Sequence, residues 1–377
     1  MIIFGDKRTL EEEKKCLYYY FKTCLREICK NSFASGIIMN HIVFCVDNGW
    51  IKQCGVTIKS ILFYNPSSEF TFHVLGKEIT AENKSLLQKV LNENSKVEFH
   101  TVPAGYDTRF VLREGSRLSI ETYYRFFVAE LLPDDASKAL YMDADILCTD
   151  KLDALFETDL SECPCGMVLD QTYADIQFYN RLDYDFTERY YNAGVILINL
   201  DYWRKNGVAQ QLLDYIGNNP DKCLLYDQDA INAVFHGKIK SLDFKYNLQT
   251  GFFRVPLWAN RQGAIGFDDE KIEKKYWKDI QEDLKHPVLV HFCIHYKPWH
   301  KECNVPFAEL WRKFYAMQYG IKRIKPRPKT FKEKIKMIVL KTAVKIKMKK
   351  VMPHILSYPD SCYELEKEYL EKLAVHQ

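Results

Sequence analysis

Ala139-Leu140-Tyr141-Met142-Asp143-Ala144-Asp145-Ile146-Leu147 is an apolar run broken only by two carboxylates one residue apart. Side chains alternate along an extended chain, so a strand through this run turns Asp143 and Asp145 to the same side. Like charges held that close repel unless a cation lies between them. A hard divalent ion, backed by an anionic substrate, meets that need. Spacing alone does not single out this pair, because Asp183/Asp185 and Asp227/Asp229 repeat it. Position does: the first pair sits where an apolar strand stops, and open α/β sheets bind ligands at the carboxyl ends of their strands.

Working outward, the first half alternates strands and helices. Ile42-Val43-Phe44-Cys45-Val46 reads as a buried strand that stops at the turn Asp47-Asn48-Gly49. Residues 51–64 read as a helix, 70–75 as a strand, 80–92 as a polar-faced helix and 97–102 as a strand. A helix over 119–131, ended by Pro133, leads into the quoted run. In the second half, Val168-Leu169, 195–198 and 288–292 are strand-like, and 208–216 and 228–235 are helix-like. Such alternation predicts a mostly parallel sheet covered on both faces. Three segments follow: a helical extension over 1–40 with its helix at 8–31, a body over 41–320, and a basic helical tail over 321–377 entered through Pro326 and Pro328.

With 377 residues, 47% of them hydrophobic and 27% charged, the chain reads as globular. Its twelve cysteines show no repeating spacing, which points to free buried thiols in a reducing compartment. The opening residues lack the apolar core and cleavage site of a signal peptide, and no run of about 18 uncharged apolar residues occurs. The expectation is therefore a cytoplasmic protein. Residues 321–350 hold thirteen Lys or Arg against the single acid Glu333, so a net charge of +3 conceals an acidic body with a basic tail. Basic tails favour anionic surfaces.

His291 also ends an apolar strand, and Cys293, His295, Lys297, Pro298, Trp299 and His300 follow it. Alone it reads as a packed histidine rather than a metal ligand. Beside Asp143 and Asp145 it completes a mixed oxygen and nitrogen set that suits Mn²⁺ or Mg²⁺ better than zinc. Lys297 would add a permanent positive charge beside a phosphate. Other segments keep plain structural readings. Asn192-Ala193-Gly194 reads as a turn before a strand, Asp227 and Asp229 as helix caps, and Arg125 as one half of a surface ion pair.

Six blocks in order resemble glycosyltransferase family 8, the retaining enzymes typified by bacterial lipopolysaccharide galactosyl- and glucosyltransferases. They are His41 to Asp47, Leu118 to Phe126, Leu140 to Leu147, Tyr191 to Leu200, Tyr226 to Asn232, and His291 to Cys293 with Lys297 to His300. The resemblance implies an α/β GT-A fold, with a Rossmann-like nucleotide-sugar half, a mixed sheet and helical extensions at both ends. It also implies a UDP-hexose donor and Mn²⁺, with Mg²⁺ as the alternative. Asp143, Asp145 and His291 would hold the metal, and Asp143, Ala144 and Asp145 would contact the nucleotide sugar. Cys45 to Asp47 would receive uracil and ribose, and Arg125 would contact phosphate or sugar. Asn192, Ala193, Asp227 and Gln228 would line the sugar pocket, with Gln228 and Asp227 nearest the chemistry, and Lys297 would steady the leaving diphosphate. One departure stands out: Ile294 occupies the place where the family usually has glycine, three residues after the metal histidine.

Two apolar stripes in 331–350, separated by lysines, suit a helix lying on an anionic membrane, the expected meeting place with a glycolipid acceptor. That would put the protein at the inner face of the membrane. Nucleic acid is not expected as a partner, since no nucleic-acid fold accompanies the charge. The helix at 8–31 would pack on its own domain or on a second copy in a homo-oligomer. The competing reading of the whole is a nucleotide-sugar-binding scaffold on the same fold, disabled around Ile294.

Overall fold

The run from Ala139 to Leu147 is divided between two strands rather than lying in one. The computed structural model describes residues 39–102, 110, 119–255, 272–293, 297–301, 303–320 and 358–375. The helix expected at 8–31, Ile294 and the stripes of 331–350 lie outside them.

The main sheet has seven strands in the order β3-β2-β1-β4-β7-β6-β8. Here β1 is Asn40–Cys45, β2 Phe70–Leu75, β3 Ser95–His100 and β4 Lys138–Met142, all mutually parallel. β7 (Tyr191–Asn199) runs antiparallel to β4, β6 (Cys165–Leu169) antiparallel to β7, and β8 (Lys240–Ser241) parallel to β6. The β4 and β7 interiors are almost entirely buried, as their continuous apolar sequences require. A second sheet has three strands: β5 (Ile146–Cys148), β10 (Leu289–His291) and β9 (Leu248–Gln249), in that order.

The chain leaves the main sheet at Asp143, whose N–H donates to Gly194 O at 2.8 Å, and joins the small sheet at Ile146. The helix Ile51–Tyr64 holds this exit. Thr57 Oγ1 donates to Ile146 O at 2.7 Å and to Ala144 O at 3.2 Å, and Ser60 Oγ accepts from Cys148 N at 3.0 Å. Those two hydroxyls are fully buried and hydrogen-bonded, as buried polar groups must be. Asp143 and Asp145 therefore sit in the link between two sheets, outside any pleat.

The expected α-helix over 119–131 is a 3-10 helix, Ile120–Phe127, with one α-turn, Val128–Leu131. Tyr123, Tyr124, Arg125, Phe126 and Phe127 are all buried, so packing demands from several sides override the α preference. Gly194 is not a turn residue but lies inside β7. The described residues from Asn40 onward belong to one compact unit. Within it, the helix Asp360–Val375 packs Tyr369 edge-to-face against Phe307 and Tyr64. Among the described residues no helix is long and apolar enough to cross a membrane.

Candidate active site

Pairing of β5 with β10 sets His291 opposite Ile146, and Phe292 N donates to Asp145 O at 3.1 Å. This brings the end of one strand against the link that carries both carboxylates. His291 Nε2 lies 3.4 Å from Asp145 Oδ1 and 3.8 Å from Asp143 Oδ2. The three ligand atoms all lie within 4.8 Å of one another. Asp145 and His291 are buried, whereas Asp143 is part-exposed and leaves the cluster open on one side.

The other polar atom of each side chain has its own partner. Asp143 Oδ1 accepts from Tyr141 Oη at 2.6 Å and from Arg125 Nη2 at 3.2 Å. Asp145 Oδ2 accepts from Lys297 Nζ, which also donates to Phe292 O. Burial alone would raise the Asp145 pKa; the Lys297 ammonium opposes it, and the carboxyl is held below the usual range. His291 Nδ1 lies 2.9 Å from Asn247 Oδ1.

The tautomer of His291 follows from a chain of bonds that starts at Asp170. Its carboxylate accepts from Asn192 Nδ2 at 2.9 Å. That fixes the amide, so Asn192 Oδ1 accepts from Asn247 Nδ2 at 2.9 Å and from Gly194 N at 3.0 Å. Asn247 is thereby fixed with its oxygen toward His291, whose Nδ1 must carry the proton. In the neutral ring, Nε2 then keeps the lone pair and faces two carboxylate oxygens. Three acceptors converging without a donor between them fit a divalent cation, and the buffered Nδ1 is the usual outer partner of a metal-bound histidine. Gly194 belongs to the same design: a Cβ there would stand 2.8 Å from His291 Nδ1 and closer still to Cε1.

Gln228, at the start of the helix Asp227–Phe235, is oriented by the same carboxylate. Its Nε2 donates to Asp170 Oδ2 at 3.2 Å and to Tyr190 Oη at 3.1 Å, while Oε1 accepts from Ala193 N at 2.9 Å. Arg125 lies buried, 4.0 Å over the Tyr141 ring, and donates to Ala193 O at 2.7 Å. It also stands 3.1 Å from Asp227 Oδ2, so it ties Asp143, Ala193 and Asp227 together. Burial pushes the Asp227 carboxyl up to about 6, with Arg125 opposing and Asp143 adding to the rise. Cys45 is part-buried beside this group, and burial raises its thiol well above the ordinary value.

Asp47 stands apart from the metal cluster. Its Oδ1 accepts from Gly49 N at 2.6 Å, and it lines an open cleft with Asn48, Lys77, Glu78, Ile79 and Glu121. The cleft and the carboxylates share the carboxyl edge of the parallel strands β1, β2 and β4. The other Asp pairs have structural partners. Asp185 caps a 3-10 turn through Thr187 N, and Asp229 accepts from Arg181, Tyr190 and Leu225 N. Sequence reasoning passed over Asp170, Tyr141, Tyr190 and Asn247. Asp170 carries the signal that singled out Asp143, an acid directly after an apolar strand; Asn247 carries none.

The sequence profile described as Glycosyl transferase family 8 matches residues 41–303. General stress protein A of Bacillus subtilis (strain 168) is 26% identical over 285 residues, which cover 74% of this chain and 93% of that protein. The lipopolysaccharide 1,2-glucosyltransferase of Escherichia coli is 26% identical over 274 residues, covering 72% and 76% respectively. Glycosyltransferase GlyA of Streptococcus pneumoniae serotype 4 is 28% identical, but the chain spans only 35% of its length. Among solved structures, galactosyltransferase LgtC with donor and acceptor sugar analogs superposes with a TM-score of 0.65 at 25% identity, covering 75% of this chain and 98% of that one. The mixed α/β architecture matches the GT-A fold of these neighbours. The profile match spans well over half the chain, and the chain belongs to glycosyl transferase family 8.

Proposed function

We propose that this chain is a metal-dependent retaining glycosyltransferase. It would move glucose or galactose from a UDP-sugar to a saccharide acceptor, either lipopolysaccharide or another surface glycan. The observation that carries the reading is the convergence of Asp143 Oδ2, Asp145 Oδ1 and His291 Nε2 with Gln228 held on the same Asp170–Asn192 network. Two carboxylates and an imidazole would hold Mn²⁺, or Mg²⁺ in its place. When bound, the ion supplies positive charge against the diphosphate as it leaves.

The chain's own residues supply the rest. Lys297, paired with Asp145, stands where a second cation can steady the diphosphate oxygens. Arg125 pairs with both Asp143 and Asp227 and orients them. Gln228 Oε1 spends one lone pair on Ala193 N and keeps the other to face an electron-poor anomeric carbon. An amide is a poor covalent nucleophile, which favours front-side attack by the acceptor over double displacement. The cleft beside Asp47 is offered for the uracil and ribose. The basic segment 321–350 supports the further reading that the enzyme works against the anionic inner face of a membrane, where a glycolipid acceptor would lie.

The test is UDP release from UDP-glucose and UDP-galactose, with and without Mn²⁺, in the full chain and in Asp143→Asn/Asp145→Asn. Metal-dependent release that the double variant loses is expected. Donor binding with no turnover under any metal would overturn the reading in favour of a nucleotide-sugar-binding scaffold.

A further inference from the structure

A second group of metal-binding side chains lies on the edge half of the main sheet. His41 on β1, His73 on β2 and His100 on β3 form a diagonal across three parallel strands. Register explains the alignment. His73 is the lateral partner of Glu98, and His100 follows two residues later on the same face of β3. His73 Nδ1 lies 2.9 Å from His100 Nε2 and 3.6 Å from Glu98 Oε2. Glu98 is divided: Oε1 pairs with Lys96 Nζ at 2.9 Å, which leaves Oε2 facing the imidazoles.

We propose that His73 Nδ1, His100 Nε2 and the Glu98 carboxylate form a second divalent-cation site, of the kind that takes zinc. The three ligand atoms lie within 4.8 Å of one another. The 2.9 Å between the two nitrogens is a few tenths short of the roughly 3.3 Å edge of a tetrahedron with bonds of about 2.0 Å, a gap small rotations of half-buried His100 can close. Two imidazoles and one carboxylate are borderline ligands, unlike the oxygen-rich set at Asp143, so this site selects a softer ion than the first. Three protein ligands leave one position for water, and part-exposed Glu98 and His100 leave a way in.

His41 supplies the outer partner. Its Nδ1 lies 2.9 Å from His73 Nε2, so His73 can place its proton there and turn the bare Nδ1 toward the ion. β3 is the outermost strand of the sheet on that side, and the ion would join it to β2.

The experiment uses the full chain carrying Asp143→Asn/Asp145→Asn, so that the first site does not compete. Zn²⁺ is titrated against a chromophoric chelator, and Co²⁺ is used for its ligand-field bands. One bound zinc is expected, lost in Glu98→Gln and in His100→Ala. His41→Gln is expected to weaken binding about 10–100-fold, as for other outer partners. Zinc binding that persists in both ligand variants, or a background protein that holds no zinc, overturns the proposal. Should His100→Ala misfold, Glu98→Gln at the part-exposed position and X-ray absorption of the zinc-loaded protein decide alone, and a spectrum without two imidazoles is then the overturning result.

Discussion

Asn247 Oδ1 lies 2.9 Å from His291 Nδ1, and the direction of that bond is set by Asp170 two amides away. The pair fixes which nitrogen of His291 faces Asp143 and Asp145. Asn247→Ala frees the ring to rotate and to exchange tautomers, and a lost outer partner typically costs about 10–100-fold in metal affinity. Mn²⁺ titration followed by electron paramagnetic resonance should show that loss with the fold intact by circular dichroism. An unchanged affinity would remove Asn247 from the site.

Gly194 offers a sharper probe, because a single methyl group acts on the same ring. The Cβ of Gly194→Ala would stand 2.8 Å from His291 Nδ1, so the imidazole or the strand must shift from its present position. Overpacking of this kind costs about 1–3 kcal/mol of stability. We expect Mn²⁺ affinity to fall more than the thermal midpoint suggests. A variant that loses stability but binds Mn²⁺ normally would show that the close approach has no part in holding the ligand.

These two residues also mark where sequence reading stops. β1, β2 and the helix Ile51–Tyr64 were legible because apolar runs and turn residues report local structure. Asp143, Asp145 and His291 were legible as acids or bases at strand ends. The break between β4 and β5 was not, because an apolar run does not say which sheet each half joins. Nor was the role of Asn247, a fully buried amide in a short 3-10 turn with no periodic pattern around it. Gly194 read as a turn because the ring that excludes its side chain comes from a strand almost a hundred residues later. Arg125 read as a surface residue, yet it is buried between two carboxylates and a tyrosine ring.

Asp227 gives stability a pH dependence with a definite sign. Burial raises its carboxyl to about 6, against about 3.9 in an unfolded chain. Between those values the folded state holds the extra proton, so the group's contribution is full below about pH 4 and is lost as pH rises through about 6. Asp227→Asn keeps the shape without the titration. The stability of wild type relative to this variant should therefore fall from pH 4 to pH 7 in metal-free urea unfolding. A difference that stays flat, or grows with pH, would contradict the burial assigned to this carboxyl.

Glu366 tests how the last helix is joined to the catalytic body. The helix Ala308–Tyr319 starts after Phe307, which has φ of 68° and offers no side-chain cap. N–H groups of its first turn are met instead by Glu366 Oε1, which accepts from Glu309 N at 2.8 Å and from Leu310 N at 3.1 Å. A negative charge there also opposes the helix dipole in the favourable sense. Removing a cap costs about 0.5–2 kcal/mol, so Glu366→Ala should lower the melting temperature of the full chain by a measurable step. Glu366→Gln keeps an amide oxygen that can accept the same bonds, and it should lose less. Equal melting temperatures for wild type and Glu366→Ala would mean that the aromatic contacts of Tyr369 with Phe307 and Tyr64 hold the helix without the cap.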